Sequence, residues 1–141
     1  MDQVRAFGWA YFLLFIAVVA SAFVPAFNDD QGLQFGLFKL DFYDHALHLG
    51  SGIWAGIAAW ISRDAARNYF RLFGPLYFLD GVLGLFTGSG YLDLGIFLYG
   101  PLDLPLMTRI FANLPHLVIG GVAAWVGYVL ARQPREQAVA S

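Results

Sequence analysis

Four stretches of this chain run almost without charge, each close to the roughly 20 residues an α-helix needs to cross hydrocarbon. They extend from about Phe7 to Phe27 (FGWAYFLLFIAVVASAFVPAF), His45 to Ile61, Tyr69 to Thr87 and Ile110 to Leu130. The pattern predicts an all-α membrane protein, a single domain over 1–141 built as a four-transmembrane-helix bundle. Pro25 suits a helix end better than a helix centre, because proline lacks the amide donor and crowds the preceding turn. Ala20-Ser21-Ala22 resembles a signal-peptidase site, but Arg5 is offset by Asp2 and the leading segment is nearly neutral, so the first stretch is expected to remain as a span.

Between the spans, 28–44 and 88–109 are longer than minimal turns yet rich in Phe, Leu and Tyr (QGLQFGLFKLDFY, YLDLGIFLYGPLDLPL). Gly95, Gly100, Pro101 and Pro105 argue against a fifth span, since backbone left unpaired in lipid costs several kcal/mol per group. These segments are expected to lie on the membrane surface or to dock a partner. Arg5, Arg63, Arg67, Arg71, Arg132 and Arg135 fall at one set of ends; Lys39 and Arg109 fall at the other, among Asp29, Asp30, Asp41, Asp44, Asp93 and Asp103. Positive charge is retained in the cytoplasm, so both termini are expected inside and the acidic loops outside, with Trp9 and Trp60 near the inner interface.

Composition agrees: 59% of 141 residues are hydrophobic and 13% charged, far below the charged share of soluble domains. A net charge of -2 leaves no nucleic-acid footprint, and the lack of cysteine removes disulfides, iron–sulfur clusters and thiolate zinc sites.

The chain repeats itself. Span two opens His45-Ala-Leu-His48-Leu-Gly-Ser-Gly52-Ile-Trp-Ala55, and span four opens Asn113-Leu-Pro-His116-Leu-Val-Ile-Gly120-Gly-Val-Ala123. A duplicated helical hairpin explains the match and sets His48 and His116 at one depth, just inside the outer face. Helical spacing places His48, Gly52, Gly56 and Ala59 on one stripe, and His116, Gly120, Ala123, Ala124 and Gly127 on the other. Small residues at such spacing let helices approach closely in lipid, so Gly52, Gly56, Gly120 and Gly127 are expected at helix contacts and both histidines inside the bundle. Asp80 heads a row with Gly84 and Thr87 on span three, about 12 Å from the outer end at 1.5 Å per residue; His116 lies about 8 to 9 Å deep, so the three polar side chains could meet.

The twin His-Leu-x-x-Gly openings, the hairpin duplication, the Arg-rich inner loop SRDAARNYFR and the Gly-rich third span resemble a bacterial family of small four-helix membrane proteins classed as a domain of unknown function. The likeness extends from Phe7 to Leu130. In that family asparagine commonly stands three residues before each histidine; Asn113 fits and His45 departs, which leaves open whether the half-sites are equivalent. The resemblance implies the architecture and a location in the bacterial cytoplasmic (inner) membrane. That family has no agreed activity, so no catalytic residue carries over.

Three chemistries compete for the polar cluster. Asp80, an ionisable group at membrane depth, serves either proton or ion passage or a hydrogen-bonded lock between helices. His48 and His116 serve either as ligands of haem or a metal ion or as ordinary interhelical hydrogen-bond partners. If the two helices touch at about 8 to 10 Å, an ion fits between them and a macrocycle does not. Asp44, His45 and His48, with His116, form a candidate divalent-metal set, although Asp44 and His45 are equally at home as helix N-terminal residues. No phosphate cradle, serine elbow or carboxylate pair facing a cleft can be named, so a non-catalytic reading leads. The expectation is an accessory or assembly subunit of a larger membrane complex, with the bilayer and other membrane subunits or further copies of itself as partners and no resident cofactor.

Overall fold

The computed structural model describes residues 2–36 and 40–132; Lys39 and Arg135, two of the charges on which the expected orientation rests, lie outside the described residues. The described residues form five α-helices, without a β-strand: α1 (Gln3–Ser21), α2 (Phe42–Ile61), α3 (Arg63–Thr87), the short α4 (Gly95–Tyr99) and α5 (Leu106–Tyr128).

Helix ends depart from the hydropathy boundaries wherever a polar side chain caps a turn. Asp2 starts α1 ahead of Phe7 by accepting from the amides of Val4 at 2.9 Å and Arg5 at 3.3 Å. α1 stops at Ser21 rather than Phe27. Asn28 donates there to the carbonyls of Ala22 and Val24 at 3.1 and 2.9 Å, and Val24, the residue before Pro25, is extended. Asp41 and Asp44 close a reciprocal capping box at the start of α2, each side chain 3.0 Å from the other's backbone nitrogen. The SRDAARNYFR segment is not a loop. Ser62 ends α2 and caps α3 by accepting from Ala65 at 3.0 Å, and Asp64 occupies the first turn where a carboxylate favours the helix dipole. α3 and α5 carry Pro75 and Pro115 in their interiors without ending there; Gly88, at φ 80°, supplies the left-handed residue that closes α3.

The helices pair as two hairpins, α1 with α2 and α3 with α5. Glycine makes both pairings possible. A β-carbon on Gly52 would lie 2.8 Å from Phe15 Cβ, one on Gly56 2.8 Å from the Phe12 ring, and one on Gly8 2.8 Å from Ala59 Cβ. In the other hairpin Gly120 rests on the backbone of Phe78, Gly74 on that of Ala124, and a β-carbon on Gly127 would meet Arg71 N at 2.8 Å. The repeated stripes therefore pack against α1 and α3 and not against each other, which leaves room between α2 and α5. Tyr11, Phe15, Tyr69, Phe70, Phe73 and Tyr77 fill the centre, with Tyr69, Phe73 and Tyr77 stacked at 5.0 and 4.7 Å, and Tyr11 joins the hairpins by donating to the Ile119 carbonyl.

Three segments, α1, α3 and the continuous Leu106–Arg132, are long and apolar enough to cross a membrane. At one end of the bundle arginines tie off helix carbonyls: Arg5 donates to Ala59 and Trp60 at 2.7 and 3.0 Å, Arg71 to Gly127 at 2.8 Å, and Arg63 to Ala131 at 3.1 Å while pairing with Asp2 at 3.0 Å.

Two glycines of the same repeat should respond differently to a side chain. Gly120→Val forces a branched chain into the Phe78 backbone and should cost about 1–3 kcal/mol, in the range for overpacked sites. Gly50 has open space at its β-position, so Gly50→Ala should leave stability unchanged or slightly raised. Thermal unfolding of both variants in detergent reads the difference directly.

Candidate functional site

Where the hairpins part, a cavity of about 820 Å³ opens at the end of the bundle carrying Asp41, Asp44 and Asp93. Leu14, Phe15 and Val18 of α1 and Ile119 of α5 form its apolar walls, and Leu102 and Leu104 of the segment after α4 border it. Its acidic and imidazole lining comprises Asp41, Asp44, His48, Asp80, Asp93 and His116, with the phenols Tyr77 and Tyr99 beside them; no described lysine or arginine borders it. Below Phe15 and Tyr77 the aromatic centre of the bundle continues through Tyr11 and Phe73, with ring centroids 5.7 to 6.1 Å from Phe15.

Asp80 is the deepest carboxylate and only 1% exposed. Its Oδ1 accepts from the backbone amides of Tyr91 at 2.7 Å and Leu92 at 2.9 Å, which fastens the segment after α3 to the bundle. Its Oδ2 lies 2.9 Å from His116 Nδ1. Neither atom makes a hydrogen bond of regular geometry. Small residues admit the arrangement: a β-carbon on Gly90 would lie 2.5 Å from Asp80 Oδ1, and one on Gly81 3.0 Å from His116 Cβ. Gly84 makes room for the Asn113 amide, which donates to the Arg109 carbonyl at 2.8 Å. The His116 ring leans on Tyr77 at 4.7 Å.

His48 faces His116 across the parting, ring centroids 6.5 Å apart and nearly perpendicular, and stacks on Phe15 at 5.8 Å. It is 6% exposed, and its Nδ1 has no hydrogen-bond partner. Span depth and helical phase placed Asp80, His48 and His116 together, and the folded chain brings them together. The Asp-x-x-Asp-His-x-x-His run does not stay together: Asp41 and Asp44 cap α2, while His45 turns to Phe23 of the α1 side at 6.0 Å and does not border the cavity. Among the described residues no group of three or more His, Cys, Asp or Glu side chains assembles as a metal site. Asp44, His45, His48 and His116 accordingly do not form one ligand set.

The mouth is acidic. Asp41, Asp44 and Asp93 gather there. Asp93 accepts from the Gly95 amide at 2.9 Å, and Tyr99 of α4 donates to Asp41 at 3.2 Å. Burial works to raise the Asp41 carboxyl, but hydrogen bonds from the Asp44 backbone and side chain and from Tyr99 outweigh it and hold it below the usual range; the same contact holds the Tyr99 phenol above its usual range. Sequence reading treated Asp93 as one loop charge among several, found no carboxylate pair facing a cleft, and passed over Gln34. Neither residue sits in a periodic segment or motif, and only the return of both loops over the bundle brings them to the pocket.

The family described as Domain of unknown function (DUF4383) matches residues 4–99, well over half of the chain. The chain belongs to that family. No curated protein and no solved structure matches it. The matched region of the DUF4383 chain contains His48, Asp80 and Asp93 and ends before α5, so the second half-motif with Asn113 and His116 lies beyond it.

The Asp80 anchor makes a mechanical prediction. Asp80→Leu leaves the Tyr91 and Leu92 amides unpaired, at about 1–3 kcal/mol for each buried donor, so limited proteolysis between Gly88 and Pro105 should accelerate at least tenfold. Asp80→Asn retains an acceptor and should fall between that variant and the parent.

Proposed function

We propose that this DUF4383 protein crosses the bacterial inner membrane four times with both termini cytoplasmic, and that it serves as a non-catalytic subunit holding a small ligand in the pocket at its outer end. The observation that carries the reading is the pocket: about 820 Å³, largely apolar walls and a few convergent polar groups, the form small-molecule sites take. The aromatic packing of Phe15 and Tyr77 with Phe73 at the centre of the bundle favours binding over passage past Asp80. α2 supplies the fourth span, because its 20 residues run about 30 Å alongside α1. The arginine-capped end supplies the inward orientation. Exposed Phe42, Phe97 and Tyr99 around the pocket mouth suit docking to a partner subunit of a larger complex.

A second reading, one metal ion held between His48 and His116, is favoured by a specific arrangement. A carboxylate on Nδ1, as Asp80 provides to His116, is what orients a histidine whose other nitrogen binds metal. Extraction in mild detergent followed by small-molecule mass spectrometry, elemental analysis and a visible spectrum separates the two. A retained organic molecule, lost when Val18→Trp fills the pocket, is the expected result. A stoichiometric metal or a Soret band, lost in His48→Ala, would replace the first reading with the second.

The topology has its own test. The chain has no cysteine, so Asp30→Cys and Asp64→Cys each introduce one thiol. An impermeant maleimide should label intact cells carrying the first and not the second; the reverse pattern would invert the orientation.

A further inference from the structure

The pocket is selective by what its polar groups lack, an inference that rests on the pocket being a ligand site. Each carboxylate has a definite occupation. Asp80 Oδ1 accepts from two backbone amides while its Oδ2 lies against His116 Nδ1, and Asp41 accepts from the Asp44 amide and Tyr99. Asp44 accepts from the Asp41 amide and Asp93 from the Gly95 amide, which leaves each carboxylate with lone pairs for a further donor. Two further groups bordering the cavity are buried acceptors without a donor. Gln34 is 2% exposed; its Nε2 donates to the Val18 carbonyl at 2.9 Å and Ser21 Oγ at 2.6 Å, which fixes the amide orientation and leaves Oε1 unpartnered. His48 is 6% exposed, and its unpartnered Nδ1 accepts when the ring proton sits on Nε2.

Excess acceptors, an acidic pair and no described lysine or arginine call for an occupant that brings both positive charge and N–H donors. The walls of Leu14, Phe15, Val18 and Ile119 call for an apolar body on the same molecule. We infer that the pocket takes an amphipathic organic ammonium ion with N–H groups, its nitrogen on the Asp44–Asp93 pair with His48 or Gln34 as further acceptors, and its chain against the α1 and α5 walls. A bare metal ion would leave the apolar wall unused and finds no three-ligand group among the described residues.

Titration calorimetry of the full chain in zwitterionic nanodiscs, against empty nanodiscs, with hexylamine, hexyltrimethylammonium, hexanol and hexanoate tests this without a variant. Hexylamine should bind saturably, and the other three at least tenfold more weakly, since each lacks the charge, the N–H donors or both. Asp44→Asn and Asp93→Asn, near-isosteric, should each weaken hexylamine at least tenfold at unchanged melting temperature. Hexanol or hexanoate binding as tightly as hexylamine would overturn the ammonium assignment while leaving the pocket a ligand site. Hexyltrimethylammonium equal to hexylamine would overturn the role of the N–H donors. No saturable binding of any probe would overturn the inference, and the pocket reading would then be decided by the retained molecule sought above.

Discussion

A carboxylate buried in the bundle must be paired, and the arrangement around Asp80 follows from that requirement. Removing an ion from water costs several kcal/mol even after relaxation, and only close partners offset it. Two backbone amides from the segment after α3 and one imidazole from α5 do so here. Meeting that demand brings the 88–105 segment back over the bundle, fixes the His116 ring and requires glycine at 81 and 90, where any side chain would push into His116 or the carboxylate itself. The loop that covers the pocket is thus held by the same group that charges its floor.

Glycine packing then decides where space is left. Close approach within each hairpin, through Gly8, Gly52 and Gly56 on one side and Gly74, Gly120 and Gly127 on the other, draws α2 toward α1 and α5 toward α3. The hairpins are joined centrally by aromatic stacking and by Tyr11 on the Ile119 carbonyl, so they meet tightly there and part toward the acidic end. The parting is the pocket. A histidine from each repeat borders it, yet their surroundings differ: His116 has a carboxylate partner and His48 has an aromatic one. The duplication produced two similar helices and two chemically distinct imidazoles.

Three helices long and apolar enough to cross a membrane were legible in sequence as long apolar runs, and the hairpin pairing was legible in the repeat. Local caps shifted several boundaries, while the ends of α2 at Ile61 and α3 at Thr87 stand where hydropathy placed them. Asp2, Asn28, Asp41 and Ser62 compete for backbone groups that hydropathy does not weigh, and Ser62 alone turned a predicted loop into the first turns of α3. Asp80, His48 and His116 were legible as a cluster because depth and helical phase are set by counting residues.

Sequence by itself determined an all-helical, membrane-suited chain of the DUF4383 family with polar groups at matched depth, since span length, periodicity and spacing are properties of the linear order. Only the tertiary structure decided that the glycine stripes face their own hairpin partners, that His45 leaves the cluster, and that Gln34 and Asp93 enter it. Those outcomes depend on contacts between residues far apart in the chain. The physical reason is that a stripe of small residues specifies close packing without naming its partner, and a polar loop residue has no period to reveal where the loop will return.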